Sequence, residues 1–419
     1  MESVSTPVRP AIEPVWTPSL HQTFGPGKDR ELPVYGWLPF RHSFSRALVD
    51  QLLDEWQIPK GSTVLDPFCG GGTTLLACAQ RSLNAVGYDI LPFSALLSRV
   101  KTRRYKPSVL RAALAQLSFN GRASQTHVES LHPFLHKAFS TDVLAKIVWM
   151  RDSVMGIKNL PTREFFLAAL LSCLERLSFT SKTGGFLRFD AVGRVAPDPA
   201  TTVRSTADAM ITQLEEAGNL VPPGIQVTVH LGDARSCGRG RACDAVITSP
   251  PYPNRHDYTR IYLLELLVGF SLSHEQVKAL RYRTIRSHVE ARRQIVAGGY
   301  REPSLLRDII STLSAADLNN TGLIRMISGY FEDMHTSLAA LAKRVVPGAP
   351  VAFVVSNVRF AGQAIPVDVL LSEIGEGVGL TPLAIRTGRM RGNSPQQMES
   401  FGRTASRESV VIWRKTENL

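Results

Sequence analysis

The sequence predicts an α/β protein built on a doubly wound, mostly parallel β-sheet. Three observations carry that expectation. Short apolar strands alternate with amphipathic helical segments over much of the chain. A glycine run, Gly70 to Gly72, joins one strand directly to a helix. An acidic residue, Asp89, closes the next strand about 20 residues later, as in nucleotide-binding crossovers.

The elements follow in order. Residues 1–34 are rich in Pro, Ser and Thr without periodicity and read as an N-terminal arm. Phe44, Leu48, Leu52 and Leu53 recur at helical spacing within His42 to Trp56. "STVLDPFCGGGTTLLACAQ" is a strand, a glycine turn and a helix; "NAVGYDI" is a second strand and "PFSALLSRVKT" a helix. Residues 105–223 turn mostly helical, with "EFFLAALLSCLERLSF" the strongest helix and "TSKTGGFLRFD" a break in its period. Strands return in "IQVTVHLGDAR" and "CDAVITSPPY". The basic stretch "HEQVKALRYRTIRSHVEARRQ" reads as helix, and the amphipathic helix after it is stopped by Pro347 and Gly348. "PVAFVVSNVRF" is a fifth strand, "IPVDVLLSEIGEGVGL" a helix, and "ESVVIWRK" a last strand. The core is therefore expected in 35–104 and 224–419. A helical insertion occupies 105–223, and a second, basic insertion occupies 272–320.

The chain has 419 residues, 44% of them hydrophobic, enough for a sizeable core. Lys and Arg total 48 against 36 Asp and Glu, a formal charge of +12 that points to a polyanionic partner, nucleic acid first. The five cysteines include no CxxC pair, which argues against zinc and against a disulfide framework. A reducing, cytoplasmic setting of prokaryotic type is expected. No signal-peptide layout and no long apolar run are present, so no membrane association is expected.

The glycine turn lies between Asp66, at a strand end, and Thr73 and Thr74, at a helix start. Glycines there permit positive φ and close backbone approach to a ligand. The Lys of a GK[ST] phosphate loop is missing, and so is a strict GxGxxG, which disfavours NAD. Asp89 is placed to accept from ribose hydroxyls, and Asp233, after the third strand, to face an adenine amino group across the same crevice. The fourth strand runs into Ser249-Pro250-Pro251-Tyr252. Two prolines fix their φ angles and supply no N–H, so the strand exit is rigid and rich in acceptors.

"DPFCGGGTT" and "TSPPY" together resemble the exocyclic-amine DNA methyltransferases, which make N4-methylcytosine or N6-methyladenine. "HSFSRALVDQLL" is similar to that family's segment around the cofactor's methionine end. The resemblance implies a class I (Rossmann-like) methyltransferase fold: a seven-stranded sheet ordered 3-2-1-4-5-7-6, its last strand antiparallel, with a helical insertion subdomain. It implies S-adenosylmethionine as cofactor, held by Phe44, Asp66, Phe68, Gly70, Gly72, Thr73, Thr74, Asp89 and Asp233. One departure is Gly71, where the family usually has serine, with little expected effect on cofactor binding.

The same resemblance assigns chemistry to the tetrapeptide. The lone pair of a base amine is delocalised into its ring. Acceptors aimed at its N–H bonds, the Ser249 hydroxyl and the Pro250 carbonyl, favour a pyramidal, nucleophilic nitrogen. Pro250 and Pro251 hold those oxygens still. Tyr252 offers a face to a base flipped out of double-stranded DNA. Serine at the first position favours cytosine N4 over adenine N6. C5 methylation would need a cysteine in this loop, and none is there. Two rivals stand beside this reading: an RNA base-amine methyltransferase, such as one acting on guanine N2, and a catalytically silent nucleic-acid binder. Arg255, His256 and Tyr258 either contact the flipped nucleotide or belong to a solvated loop that caps the next helix. Two regions compete to bind DNA. One is the glycine break flanked by Lys182 and Arg188; the other is the basic insertion with Lys278, Arg281, Arg283, Arg286, Arg292 and Arg293. The expected role is modification in a restriction–modification system, with a cognate restriction endonuclease acting separately.

Overall fold

The computed structural model describes residues 12–38, 40, 43–190, 195–292, 298–316, 320, 322–392 and 405–417. The first eleven residues of the expected arm, His42 and Arg293 lie outside the described residues. The chain runs β1 (Pro14–Trp16), α1 (Arg46–Trp56), β2 (Thr63–Asp66), α2 (Thr73–Gln80), β3 (Asn84–Asp89) and α3 (Pro92–Thr102). Next come α4 (Pro107–Gln116), α5 (Gln125–Glu129), α6 (Pro133–Ala138), α7 (Thr141–Met155), α8 (Leu160–Leu177), β4 (Thr180–Thr183), β5 (Phe186–Phe189) and α9 (Pro199–Ala217). The core resumes with β6 (Val227–Leu231) and β7 (Ala245–Thr248). These lead to α10 (Tyr258–Ile261), α11 (Leu263–Phe270), α12 (His274–Arg283), α13 (Ser304–Ser314) and α14 (Gly322–Ala342). The chain closes with β8 (Pro350–Ser356), β9 (Val358–Phe360), β10 (Gln363–Ile365), α15 (Val367–Glu376), β11 (Leu380–Gly392) and β12 (Ala405–Lys415).

The main sheet has the order β1-β11-β12-β8-β7-β2-β3-β6. From β6 to β11 this is the expected 3-2-1-4-5-7-6 arrangement. β12 runs antiparallel to both β8 and β11, while β2, β3, β6, β7 and β8 pair in parallel. Period-two alternation sorts the core. Val64, Ile247, Val354 and Ile412 face the layer of α1 and α2, whereas Leu65, Val246, Phe353 and Trp413 face that of α14 and α15. The chain leaves β2 for β3 on one side and returns to β7 on the other, so β2 and β7 bound a topological switch point. Ligands bind there, beyond the carboxyl ends of the strands.

The sheet has eight strands rather than seven, and residues 12–34 are not a free arm. Pro14 to Trp16 pairs in parallel with Ile385 to Thr387, and the Thr17 amide donates to the Thr387 carbonyl at 2.7 Å. Leu20 and Phe24 are buried beyond it, close enough to Gly388 that a side chain there would start 2.4 Å from Leu20. The segment covers an edge of the sheet that would otherwise present unpaired backbone.

Two other segments differ from expectation. "TSKTGGFLRFD" is a β-hairpin: Thr183 pairs with Phe186 around Gly184 and Gly185, and Gly184 takes φ 54° as a two-residue turn requires. The basic helix ends at Arg283 rather than running on. α12 starts with a Ser273–Gln276 capping box, and after Thr284 the chain turns back toward the sheet. The helices α4 to α9 share one apolar core with α3 and α11. Among the described residues no helix is long and apolar enough to cross a membrane.

Candidate active site

Beyond the carboxyl ends of β2, β3 and β7 lies a cleft of about 920 Å3, including its open mouth. The chain builds its floor from the glycine turn. The Cys69 amide donates to the Tyr88 carbonyl at 2.9 Å, and the Gly72 amide to the Cys69 carbonyl at 2.7 Å, which curls the turn back onto β3. Gly70 and Gly72 take φ 46° and 81°. A side chain at Gly72 would start 3.0 Å from Ser98, and one at Gly71 would start 2.8 Å from Phe40. The glycine that departs from the family pattern therefore makes room for Phe40, which stacks on Tyr262 at 4.9 Å and forms part of the cleft wall.

Asp89 grips this turn. Its carboxylate accepts from the Gly70 amide at 3.0 Å and the Leu91 amide at 2.9 Å. Asp66 accepts from the Thr248 hydroxyl at 2.6 Å and the Phe68 amide at 3.1 Å, tying the end of β2 to the end of β7. Burial pushes the Asp66 carboxyl up to about 6 and the Asp89 carboxyl up to about 7, against these hydrogen bonds. Thr74 and Ser94 also line the cleft, their buried hydroxyls beside the Asp66 and Asp89 carboxylates respectively. Such hydroxyls, two carboxylates and the Gly70–Gly71 backbone along one wall match a polar nucleoside ligand.

Asp233 occupies the opposite wall and is held from behind. Its carboxylate accepts from Arg235 at 2.7 and 2.9 Å. Arg235 reaches Asp333 of α14 at 3.1 Å, and Asp333 accepts from the Arg286 amide and guanidinium at 2.8 to 3.1 Å. Arg235, Asp333 and Arg286 are all buried. The chain pinned by Arg286 also lines the cleft, through Thr284, Ile285, Ser287 and His288. The Ser287 carbonyl accepts from the Arg255 amide at 3.0 Å, so the same segment holds the loop after the tetrapeptide.

At the exit of β7 the Ser249 hydroxyl lies 3.0 Å from the Val354 carbonyl and 3.1 Å from the Tyr252 hydroxyl. A carbonyl only accepts, so the serine proton goes to Val354 and the tyrosine proton to Ser249. That leaves one Ser249 lone pair without a hydrogen bond among the described residues. Tyr252 is half-buried against the α14 side of the core, and burial pushes its hydroxyl up to about 12. Among the described residues no backbone amide donates to the Pro250 carbonyl.

Phe44, Asp66, Phe68, Gly70, Thr73, Thr74, Asp89, Asp233, Ser249, Pro251 and Tyr258 share the one cleft. Gly72, Pro250, Tyr252, Arg255 and His256 do not form its wall. Gly72 serves the turn, and Arg255 and His256 lie on the loop beyond. Tyr258 stacks at 6.5 Å on Phe40. Three expected DNA contacts are corrected. Lys182 is buried, paired with Glu265, and sits over the Tyr262 ring at 4.9 Å. Arg281 pairs with Asp257 at 2.8 Å and Glu290 at 3.2 Å, and Arg286 is spent on Asp333 and Glu332. Among the described residues of that set, Arg188, Arg283 and Arg292 are exposed. The cleft residues missed from sequence are chiefly Phe40, Ser94 and the 284–288 segment. The polar Thr284-Ile-Arg-Ser-His288 break in a basic run was the available signal for the last.

The strand order and this cleft define a class I, S-adenosylmethionine-dependent methyltransferase. Comparison with known proteins narrows the class. A DNA methylase family model of the N6/N4 type matches residues 6–96. The chain is 30% identical over 426 residues to the Type II methyltransferase M.AvaI of Nostoc sp., covering 92% of this chain and 87% of that one. It is 29% identical over 450 residues to the Type II methyltransferase M.BsoBI of Geobacillus stearothermophilus, covering 91% and 86%. Against the solved rRNA methyltransferase aviRa of Streptomyces viridochromogenes the overlap spans 93% of this chain and 92% of that one. Identity there is 13% and the TM-score 0.32, too slight to carry an argument. The chain belongs to the Type II DNA methyltransferases.

S-adenosylmethionine supplies an electrophilic methyl sulfonium. This chain's contribution to holding it is testable at Asp89. Asp89→Ala should weaken cofactor binding by about 1.5–3 kcal/mol, the worth of a hydrogen bond to a charged group, as read by calorimetry on folded protein. The raised carboxyls give a pH dependence. A carboxyl whose pKa rises from about 3.9 to about 7 on folding binds its proton more tightly in the folded state, so its ionisation removes stability as pH climbs through that window. Ribose hydroxyls and a cationic ligand favour the ionised form, so binding should release a proton near neutrality. Affinity should increase from pH 6 to pH 8. Calorimetry at pH 7 in phosphate and in Tris should give different heats for the native protein and closely similar heats for Asp89→Asn.

Proposed function

We propose that this enzyme transfers a methyl group from S-adenosylmethionine to the N4 amine of a cytosine flipped out of double-stranded DNA, at a specific sequence. The observation that carries the reading is the Ser249 hydroxyl. Its proton is committed to the Val354 carbonyl, which leaves an oxygen lone pair free on a residue that lines the cleft. An oxygen fixed in that state accepts from an amine N–H and does not compete as a donor. The Pro250 carbonyl is the second acceptor. Together they draw the amine lone pair out of ring conjugation, and no reorganisation is needed at the moment of transfer. Tyr252 aligns Ser249 through its hydroxyl. Serine rather than aspartate at the head of the tetrapeptide favours cytosine over adenine. The role that fits is protection of cytoplasmic DNA against a separately acting endonuclease of the same specificity.

The test is expression in a host free of DNA methylation, followed by sequencing that separates N4-methylcytosine from N6-methyladenine. One short motif carrying N4-methylcytosine is expected. N6-methyladenine at such a motif would reassign the base, and unmodified DNA from cells holding folded protein would remove the reading.

A further inference from the structure

The hairpin of β4 and β5 carries a large apolar residue that its neighbours leave more than half exposed. Phe186, the first residue after the Gly184–Gly185 turn, is 54% exposed and joins no ring pair among the described residues. The hairpin around it is firmly held. Lys182 pairs with Glu265 inside the core, the Lys182 amide donates to Glu175 at 2.8 Å, and the Ser181 hydroxyl donates to Asp190 at 2.6 Å. Phe189 rests on Phe134 at 5.7 Å. A large apolar side chain is thus presented to water on a rigid support.

The tip lies against the catalytic loop. A side chain at Gly185 would start 2.8 Å from the His256 ring, so only glycine permits this approach. His256 stands four residues beyond Tyr252. Arg188 on β5 and Arg255 beside His256 are exposed and make no ion pair among the described residues. An apolar ring flanked by two open guanidiniums matches duplex DNA: the arginines for phosphates, the ring for the base stack.

We propose that Phe186 is the wedge that enters the duplex and fills the gap left by the flipped base. This rests on the DNA base-flipping reading above. Flipping breaks one base pair and two stacking contacts. A flat side chain entering the stack replaces part of that loss and blocks the base from returning. Rigid anchoring through Lys182 keeps the ring from collapsing onto the protein instead.

Single-turnover methylation of a duplex bearing the enzyme's mapped site tests this. The same duplex with the target base mispaired is measured alongside. Phe186→Ala should slow the paired duplex about tenfold, the worth of one lost stacking partner. On the mispaired duplex, where little remains to be flipped, its rate should return close to wild type. Phe186→Trp should retain activity on both. Equal loss on both duplexes, no loss on the paired one, or a change in oligomeric state as the sole effect would overturn the wedge. A wild-type enzyme that methylates neither duplex would instead overturn the reading on which the wedge rests.

Discussion

Ser249→Ala should lower the rate of methyl transfer by about a hundredfold or more while leaving S-adenosylmethionine affinity unchanged. Removing one preorganised partner of developing charge typically has that effect. Among the described residues the serine makes no hydrogen bond to the glycine turn; its partners are Val354 and Tyr252. Single-turnover assays with tritiated cofactor, alongside direct titration of cofactor binding, separate the two quantities. Tyr252→Phe gives the graded comparison. It removes the second constraint on Ser249 and keeps the ring, so the loss should be well below that of Ser249→Ala. Full activity in Ser249→Ala would reduce the serine to a turn residue and leave the Pro250 carbonyl as the principal acceptor.

Asp333→Ala should destabilise the fold by about 3–5 kcal/mol, the usual result of removing one partner from a buried ionic network. Asp333 is fully buried and stands between Arg235 and Arg286, whose guanidiniums are almost as deeply buried. Its loss leaves Arg235 with Asp233 alone and Arg286 with Glu332 alone, two buried guanidiniums each short of a carboxylate. A lower melting temperature and a lower denaturant midpoint are expected for the cofactor-free protein. The loss should extend to function, because Arg235 holds Asp233 and Arg286 holds the 284–288 segment of the cleft wall. A contrasting control is Asp54→Ala. It breaks the pair with Arg81 at the surface, where both side chains are substantially exposed, and should be nearly silent.

These networks also mark what the sequence discloses and what it hides. The glycine turn, Asp89 and the tetrapeptide were legible because each is a local pattern: a strand end, a backbone conformation and rigid acceptors within a few residues. The parallel strands were legible as short apolar runs, since both their faces are buried. β11 was not, because it lies near the sheet edge and mixes Thr, Pro, Arg and Gly with its few apolar residues; its partners make it a strand. Three residues of β1 are too few for any periodicity. The charges were the hardest to read. Lys182 and Arg286 look like solvated cations in their own segments, but their carboxylates stand 83 and 47 residues away. Only the fold joins them. The same holds for Phe186, which in sequence resembles any strand residue and in the fold stands uncovered beside the catalytic loop.

The atom that receives the methyl group can be identified directly. DNA containing the mapped site is methylated with S-adenosylmethionine carrying a deuterated methyl group, digested to nucleosides and analysed by mass spectrometry. The label should appear in N4-methylcytidine of the deoxy series, on the exocyclic nitrogen. Label in 5-methylcytosine would contradict the account, because no arrangement of Ser249, Pro250 and Tyr252 provides the nucleophile that ring-carbon methylation requires.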